Sequence, residues 1–245
     1  INTQDAYYET EQEYFDSNEP LIKDLNIKFY KALGSSKFKD ELKQKFGQQL
    51  FNIADVSLKT FDPSIIDDLK EENRLGTEYV KLIASAEVEF NGEKMNLSAL
   101  EAFSESTDRE VRKKAFDAKW GFFAQHQDKF DEIYDKQVKL RHAIAKKLGY
   151  KNFVELAYYR LGRTDYDAKQ VAGYREQVLK YVVPMAAALR ERQRKRIGVD
   201  KLKIYDWGHN FNSGNPTPQG TPEEIVANGQ KMYSELSPET KEFFD

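Results

Sequence analysis

Between Thr107 and Leu148 the chain places Val111, Ala115, Ala118, Phe122, Phe130, Ile133, Leu140, Ile144 and Leu148 at three- and four-residue steps and multiples of them. That spacing lays one apolar stripe along a helix and leaves the other faces for charge. Some forty residues of helix would reach about 60 Å, so the stripe predicts a spine that bends or breaks, with Gly121 the expected place. Thr107 and Glu110 have capping-box spacing at its start, and Gly149 suits the left-handed turn that closes its end.

The remainder reads as helix too, because Glu, Lys, Ala, Leu and Gln dominate while Gly (13) and Pro (7) are few. A first helix over 5–33 is expected to bury Tyr7, Tyr14, Leu21, Leu25 and Phe29, with Pro20 splitting or restarting it. After Ser35 and Ser36 a second helix runs to about Lys59 on Phe38, Leu42, Phe46, Leu50 and Ile53. Asp62 and Pro63 open a third through Ile65, Ile66 and Leu69. Asp167 with Gln170 caps a helix to about Ile197, kinked at Pro184, with Tyr174, Tyr181, Met185 and Leu189 inward. Thr221, Pro222 and Glu224 open another through Ile225, Met232 and Tyr233, and a last one starts at Ser237 and looks cut short at Asp245. One stretch departs from this period: residues 84–90 and 93–97 alternate around Asn91-Gly92, the signature of a hairpin. The expected class is all-α, mostly helical, with one small β-hairpin.

Charge and composition remove several functions. With 38 basic and 41 acidic residues the net charge is -3, which gives no field to hold a polyanion, so nucleic acid is excluded as partner. No cysteine is present, which removes thiolate catalysis and suits the cytoplasm. No apolar run can span a membrane, and the start lacks an export signal.

Residues 149–166 concentrate polar and aromatic groups where three helices meet. Gly149 ends one helix, Asn152 and Glu155 have capping-box spacing for the next, and Gly162 stops it. One reading is a structural corner in which Arg163 and Asp165 satisfy each other; the other is a cleft lining. The three histidines, His126, His142 and His209, show no paired ligand spacing, so no metal site is read from them. His209 lies with Trp207 and Phe211 in a Pro- and Gly-rich loop over 205–222 that is expected to lie along a surface or cleft. The basic run at 190–196 reads as a solvated helix end that complements the dipole.

Four passages carry a further signal. They are residues 97–114 with their Ser-Thr-Asp-Arg-Glu-Val-Arg-Lys-Lys, Lys-Lys-Leu-Gly-Tyr-Lys-Asn-Phe-Val at 146–154, residues 162–166, and 213–244 with its Gly-Asn-Pro-Thr-Pro and Met-Tyr-Ser-Glu-Leu-Ser-Pro-Glu-Thr. In these the chain closely resembles the oligoendopeptidase F family of zinc metallopeptidases, relatives of thimet oligopeptidase. The resemblance implies the helical half of a channel-enclosing peptidase fold, short peptides as substrates and zinc as cofactor of the intact enzyme. It also implies a missing part. The family's His-Glu-x-x-His helix is absent, so no catalytic and no metal residue can be assigned here, and this chain alone is expected to be inactive and to bind no zinc. The missing C-terminal catalytic part is then a partner of this one. Residues 1–105 correspond to an N-terminal helical region and 106–245 to the proximal peptidase domain, with Tyr158, Tyr159, Arg163, Asp165, Tyr166 and His209 as substrate-cleft candidates. The alternative is a stand-alone helical binding or scaffold protein without catalysis.

Overall fold

Asp5 accepts from the Tyr7 amide at 2.9 Å and caps α1 (Ala6–Gly34), which runs unbroken through a buried Pro20. The computed structural model describes residues 5–244; the readings made at residues 1–4 and at Asp245 fall outside it. Pro20 neither splits nor restarts α1. The helix also presents the opposite face to the one expected: Tyr7, Tyr14, Leu21, Leu25 and Phe29 are exposed, Tyr7 by 66%, while Ile27 and Leu33 are buried. Toward its neighbour α4 (Ile66–Ala84) the first half of α1 turns polar groups, with Asp16 accepting from Thr77 Oγ1 at 2.6 Å and Glu9 pairing with Lys81 at 2.6 Å. An apolar stripe marks a face that wants cover; it does not say which neighbour supplies it.

The second expected helix is two, α2 (Lys39–Phe46) and α3 (Gln48–Leu58), parted by Gly47 at φ 86°, ψ 156°, a conformation essentially reserved for glycine. The break re-aims the stripe. Phe38, Phe46 and Ile53 are exposed, and Phe51 packs with Leu33 and Ala54 instead. Asp62 then caps a short 3-10 turn by accepting from the Ser64 amide at 2.9 Å, and Ile65 and Leu69 are buried as the spacing predicts.

The hairpin forms as β1 (Val88–Phe90) and β2 (Glu93–Met95), antiparallel, with Asn91 and Gly92 both at positive φ as a type I′ turn requires. Two three-residue strands cannot stand alone in water. Phe90 therefore joins Leu100 from α5 (Leu97–Leu100) and Ala115 from α6 (Arg109–Gln125) in a small core.

The spine breaks at His126 rather than at Gly121, giving α6 and α7 (Gln127–Lys147). His126 Nδ1 lies 2.9 Å from the Phe122 carbonyl and its ring packs on Phe122 at 4.4 Å, so this side chain takes up a helix-end carbonyl. At the start of α6 the cap is Asp108 and not Thr107, with its carboxylate accepting from the Glu110 amide at 2.8 Å. The predicted stripe faces inward: Ala115, Phe122, Ile133 and Ile144 are buried and the other five are partly so. The main core unites the N-terminal helices with the middle of the chain, joining Ile27, Phe61, Ile65 and Leu69 to Ile144, Ala145 and Leu156. Each of the larger side chains, Ala145 apart, contributes about 1.5–3 kcal/mol by leaving water.

α8 (Phe153–Arg160) follows, and then the expected long helix appears as α9 (Ala168–Gln177), a π-turn at Val178–Val182, and α10 (Val183–Arg196). The missing amide of Pro184 accounts for the irregularity immediately before it. Tyr174, Tyr181, Met185 and Leu189, expected inward, are exposed, as are Ile225 and Met232 of α11 (Pro222–Leu236). α11 packs against α12 (Pro238–Phe244) through the Tyr233 and Phe244 rings, 5.3 Å apart.

Candidate functional site

The corner at 149–166 is made by two helix ends of the same design. At the end of α7, Gly149 takes φ 85°, letting the Tyr150 amide reach Ala145 O at 2.9 Å and the Gly149 amide Lys146 O at 3.0 Å. At the end of α8, Gly162 takes φ 65°, and the Arg163 and Gly162 amides reach Tyr158 O at 3.2 Å and Tyr159 O at 2.9 Å. Both are Schellman motifs, in which the residue after the glycine folds back over the last helical turn. Arg163 is that residue. Its guanidinium carbon sits 4.2 Å from the Tyr158 ring centre and 5.5 Å from that of Tyr166, where an apolar contact is usual.

Asn152 caps α8 by accepting from the Val154 amide at 2.9 Å, but Glu155 does not complete the box; it accepts from Tyr159 Oη at 3.1 Å. Asp167 with Gln170 does form the predicted box for α9. The expected Arg163–Asp165 pair is not made. Asp165 is exposed and forms no ion pair among the described residues, because the turn that lays Arg163 on Tyr158 carries Asp165 away.

Around these residues lies a cleft of about 540 Å³, lined by Tyr158, Tyr159, Arg163 and Tyr166 together with Lys151 and Lys169. Arg163 and Tyr166 form a ridge, with a second hollow of about 390 Å³ on their other side. The α3 side of the corner is tied down where Gln49 Nε2 donates to Thr164 Oγ1 at 3.3 Å.

His209 lies elsewhere, in a segment at 203–215 laid over α6 and α10. It is buried, 3% exposed, and its Nδ1 has no hydrogen-bond partner among the described residues. Burial first, and then the Arg112 charge, push its pKa down, against the Glu105 backbone hydrogen bond and Asp206, which push it up. The anchor of this segment was not singled out by sequence: Asp206, fully buried, accepts from Arg109 Nη2 at 2.8 Å, Arg112 Nη2 at 3.0 Å and the Lys203 amide at 2.9 Å. Burial opposes its charge, but these donors win and hold the carboxyl below its usual range. Gln193, also buried, donates to the carbonyls of Asp206, Trp207 and His209. The 190–196 run is therefore more than a solvated face. Arg190 stacks on Trp207 at 4.4 Å and Arg196 on Phe211 at 4.6 Å, so its arginines clamp the aromatic loop.

A third polar node, also missed, is Glu72 on α4, 6% exposed, which accepts from Arg141 at 2.7 Å and Arg160 at 2.9 Å beside a cavity of about 680 Å³. With 41 acidic residues, spacing alone could not pick this one out.

Comparison with known proteins decides the family. A model described as Peptidase M3 N-terminal domain matches residues 1–61, and one described as Peptidase family M3 matches residues 102–227. The chain belongs to peptidase family M3. A structure described as oligoendopeptidase F, solved at 3.1 Å, is 54% identical with a TM-score of 0.95, and PZ peptidase A with inhibitor 2 is 55% identical with a TM-score of 0.95; each is covered over 43% of its length by the whole of this chain. An oligoendopeptidase F structure from Bacillus anthracis str. Ames is 48% identical, TM-score 0.94, with 45% of its chain covered. This M3 chain thus spans less than half the length of those structures. A search of curated proteins gave no match. Among the described residues of the M3 chain no group of three or more His, Asp or Glu side chains stands close enough to hold a metal ion. The donors present do not fit a zinc centre. No helix among the described residues is long and apolar enough to cross a membrane.

Proposed function

We propose that this chain is the N-terminal portion of a zinc-dependent oligoendopeptidase that hydrolyses short peptides in the cytoplasm, and that it forms one wall of the substrate channel. The observation that carries the reading is the match of its whole length to oligoendopeptidase F and PZ peptidase A structures at about half identity. We divide it near residue 105, before α6, into an N-terminal helical region and the proximal peptidase domain. In this reading Tyr158, Tyr159, Arg163, Asp165 and Tyr166 face the peptide, and His209 contributes through the loop it helps to anchor. The hydrolytic metal and its ligands belong to residues outside this sequence.

Zinc content by mass spectrometry and cleavage of an internally quenched peptide test this on two samples, the 245-residue chain and a longer protein containing it. The expected result is one zinc per molecule and chelator-sensitive cleavage for the longer protein only. Stoichiometric zinc with hydrolysis by the 245-residue chain alone would overturn it.

A further inference from the structure

Most of the described arginines are committed. Arg74, Arg109, Arg112, Arg141, Arg160 and Arg194 pair with carboxylates, and Arg190 and Arg196 donate to carbonyls of the 205–211 loop. Arg175 and Arg192 point into solvent. Arg163 is neither: it is partly shielded, lines a cleft, and among the described residues its side chain makes ring contacts alone.

We propose that Arg163 is the receptor for the C-terminal carboxylate of a short peptide lying in the cleft between α8 and α9. This inference rests on the peptidase reading above. Ring contacts engage the π face of a guanidinium and leave its N–H edge, a planar fork that matches two carboxylate oxygens. The backbone turn at Gly162 holds the group in place, so little side-chain entropy is lost when an anion arrives.

The neighbours agree with this sign of charge. Lys151 and Lys169 line the same cleft, and Lys59 sits over the Tyr159 ring at 4.6 Å. The two acids of the lining are already engaged: Glu155 takes the Tyr159 hydroxyl, and Asp167 takes the Lys169 and Gln170 amides. Among the described residues no carboxylate pairs with the Arg163 fork, while Val154 and the tyrosine rings offer apolar surface to a terminal side chain. A carboxylate receptor at a fixed place in the wall would also measure peptides from their C-terminal end, which favours short ones.

The test uses the full-length peptidase and one quenched peptide in three forms: free acid, C-terminal amide, and an amide whose last residue is glutamate. The wild type is expected to show a KM roughly 10- to 100-fold lower for the acid than for either amide, the range for a charge-assisted pair. R163Q should erase that ratio, and R163K should restore part of it, because ammonium keeps the charge without the fork. Equal KM values for acid and amide in the wild type, or an acid-to-amide ratio untouched by R163Q in a variant with a wild-type melting temperature, would overturn the proposal. So would a glutamyl amide bound as tightly as the acid, since the carboxylate read would then be a side chain's. Calorimetry with an uncleaved acid and amide pair reads the same contrast without turnover, so a protein that fails to hydrolyse would sink the peptidase reading and leave this one decided on its own.

Discussion

Arg160 and Arg163 leave one short stretch of chain in opposite directions, the first inward to Glu72 and the second onto Tyr158. Neither fate is visible from residue type; the left-handed turn at Gly162 between them decides it. His209 shows the same dependence. As a loop histidine it looked available to a ligand, but it is buried beside Arg112, and its charged form is disfavoured there. Its pKa lies below the ordinary 6.5 in the fold and near it in the unfolded chain. The unfolded state therefore binds the extra proton as pH drops below about 6.5, so stability is lost through that range and levels off beneath the depressed folded value. Melting temperature followed from pH 7.5 to 5.5 should fall more steeply for the wild type than for His209→Gln. Parallel slopes would remove His209 as the cause.

Helix caps were legible and helix breaks less so. Asn91-Gly92, Asp167 with Gln170, Thr221 with Glu224, and the stops at Gly149 and Gly162 all stand where local spacing placed them, because each is satisfied within a few residues. Gly47 lies inside an apolar stripe that reads as one helix, although it parts α2 from α3. Gly47→Ala has free space for its methyl group but not a free backbone. The substitution is expected to cost about 1–3 kcal/mol of stability by urea unfolding, from conformation alone. A neutral result would mean that the two helices can merge into the single one that their pattern suggests.

The largest departures belong to the whole molecule. α1, the α9–α10 pair and α11 turn tyrosines, methionines and leucines outward, while the first half of α1 meets α4 through Asp16, Glu9 and their partners. Monomeric soluble proteins rarely expose apolar patches beyond a few hundred Å². The chain covers 43% of two of the structures it matches, and the proposed function gives these faces to the remainder of a longer protein. The 245-residue chain by itself should then associate with rising concentration in sedimentation velocity and bind a hydrophobic dye. A dye-free monomer at high concentration would mean that the faces need no cover.

What could be read from residues alone was whatever depends on near neighbours: helical period, the hairpin turn, most caps, and an inward stripe on α6 and α7 that meets its partners. Which side of α1 or α10 is wet, which acids among many are buried, and where Arg163 points depend on partners far away in sequence. Burial is a relation between elements, so only the assembled helices could settle it.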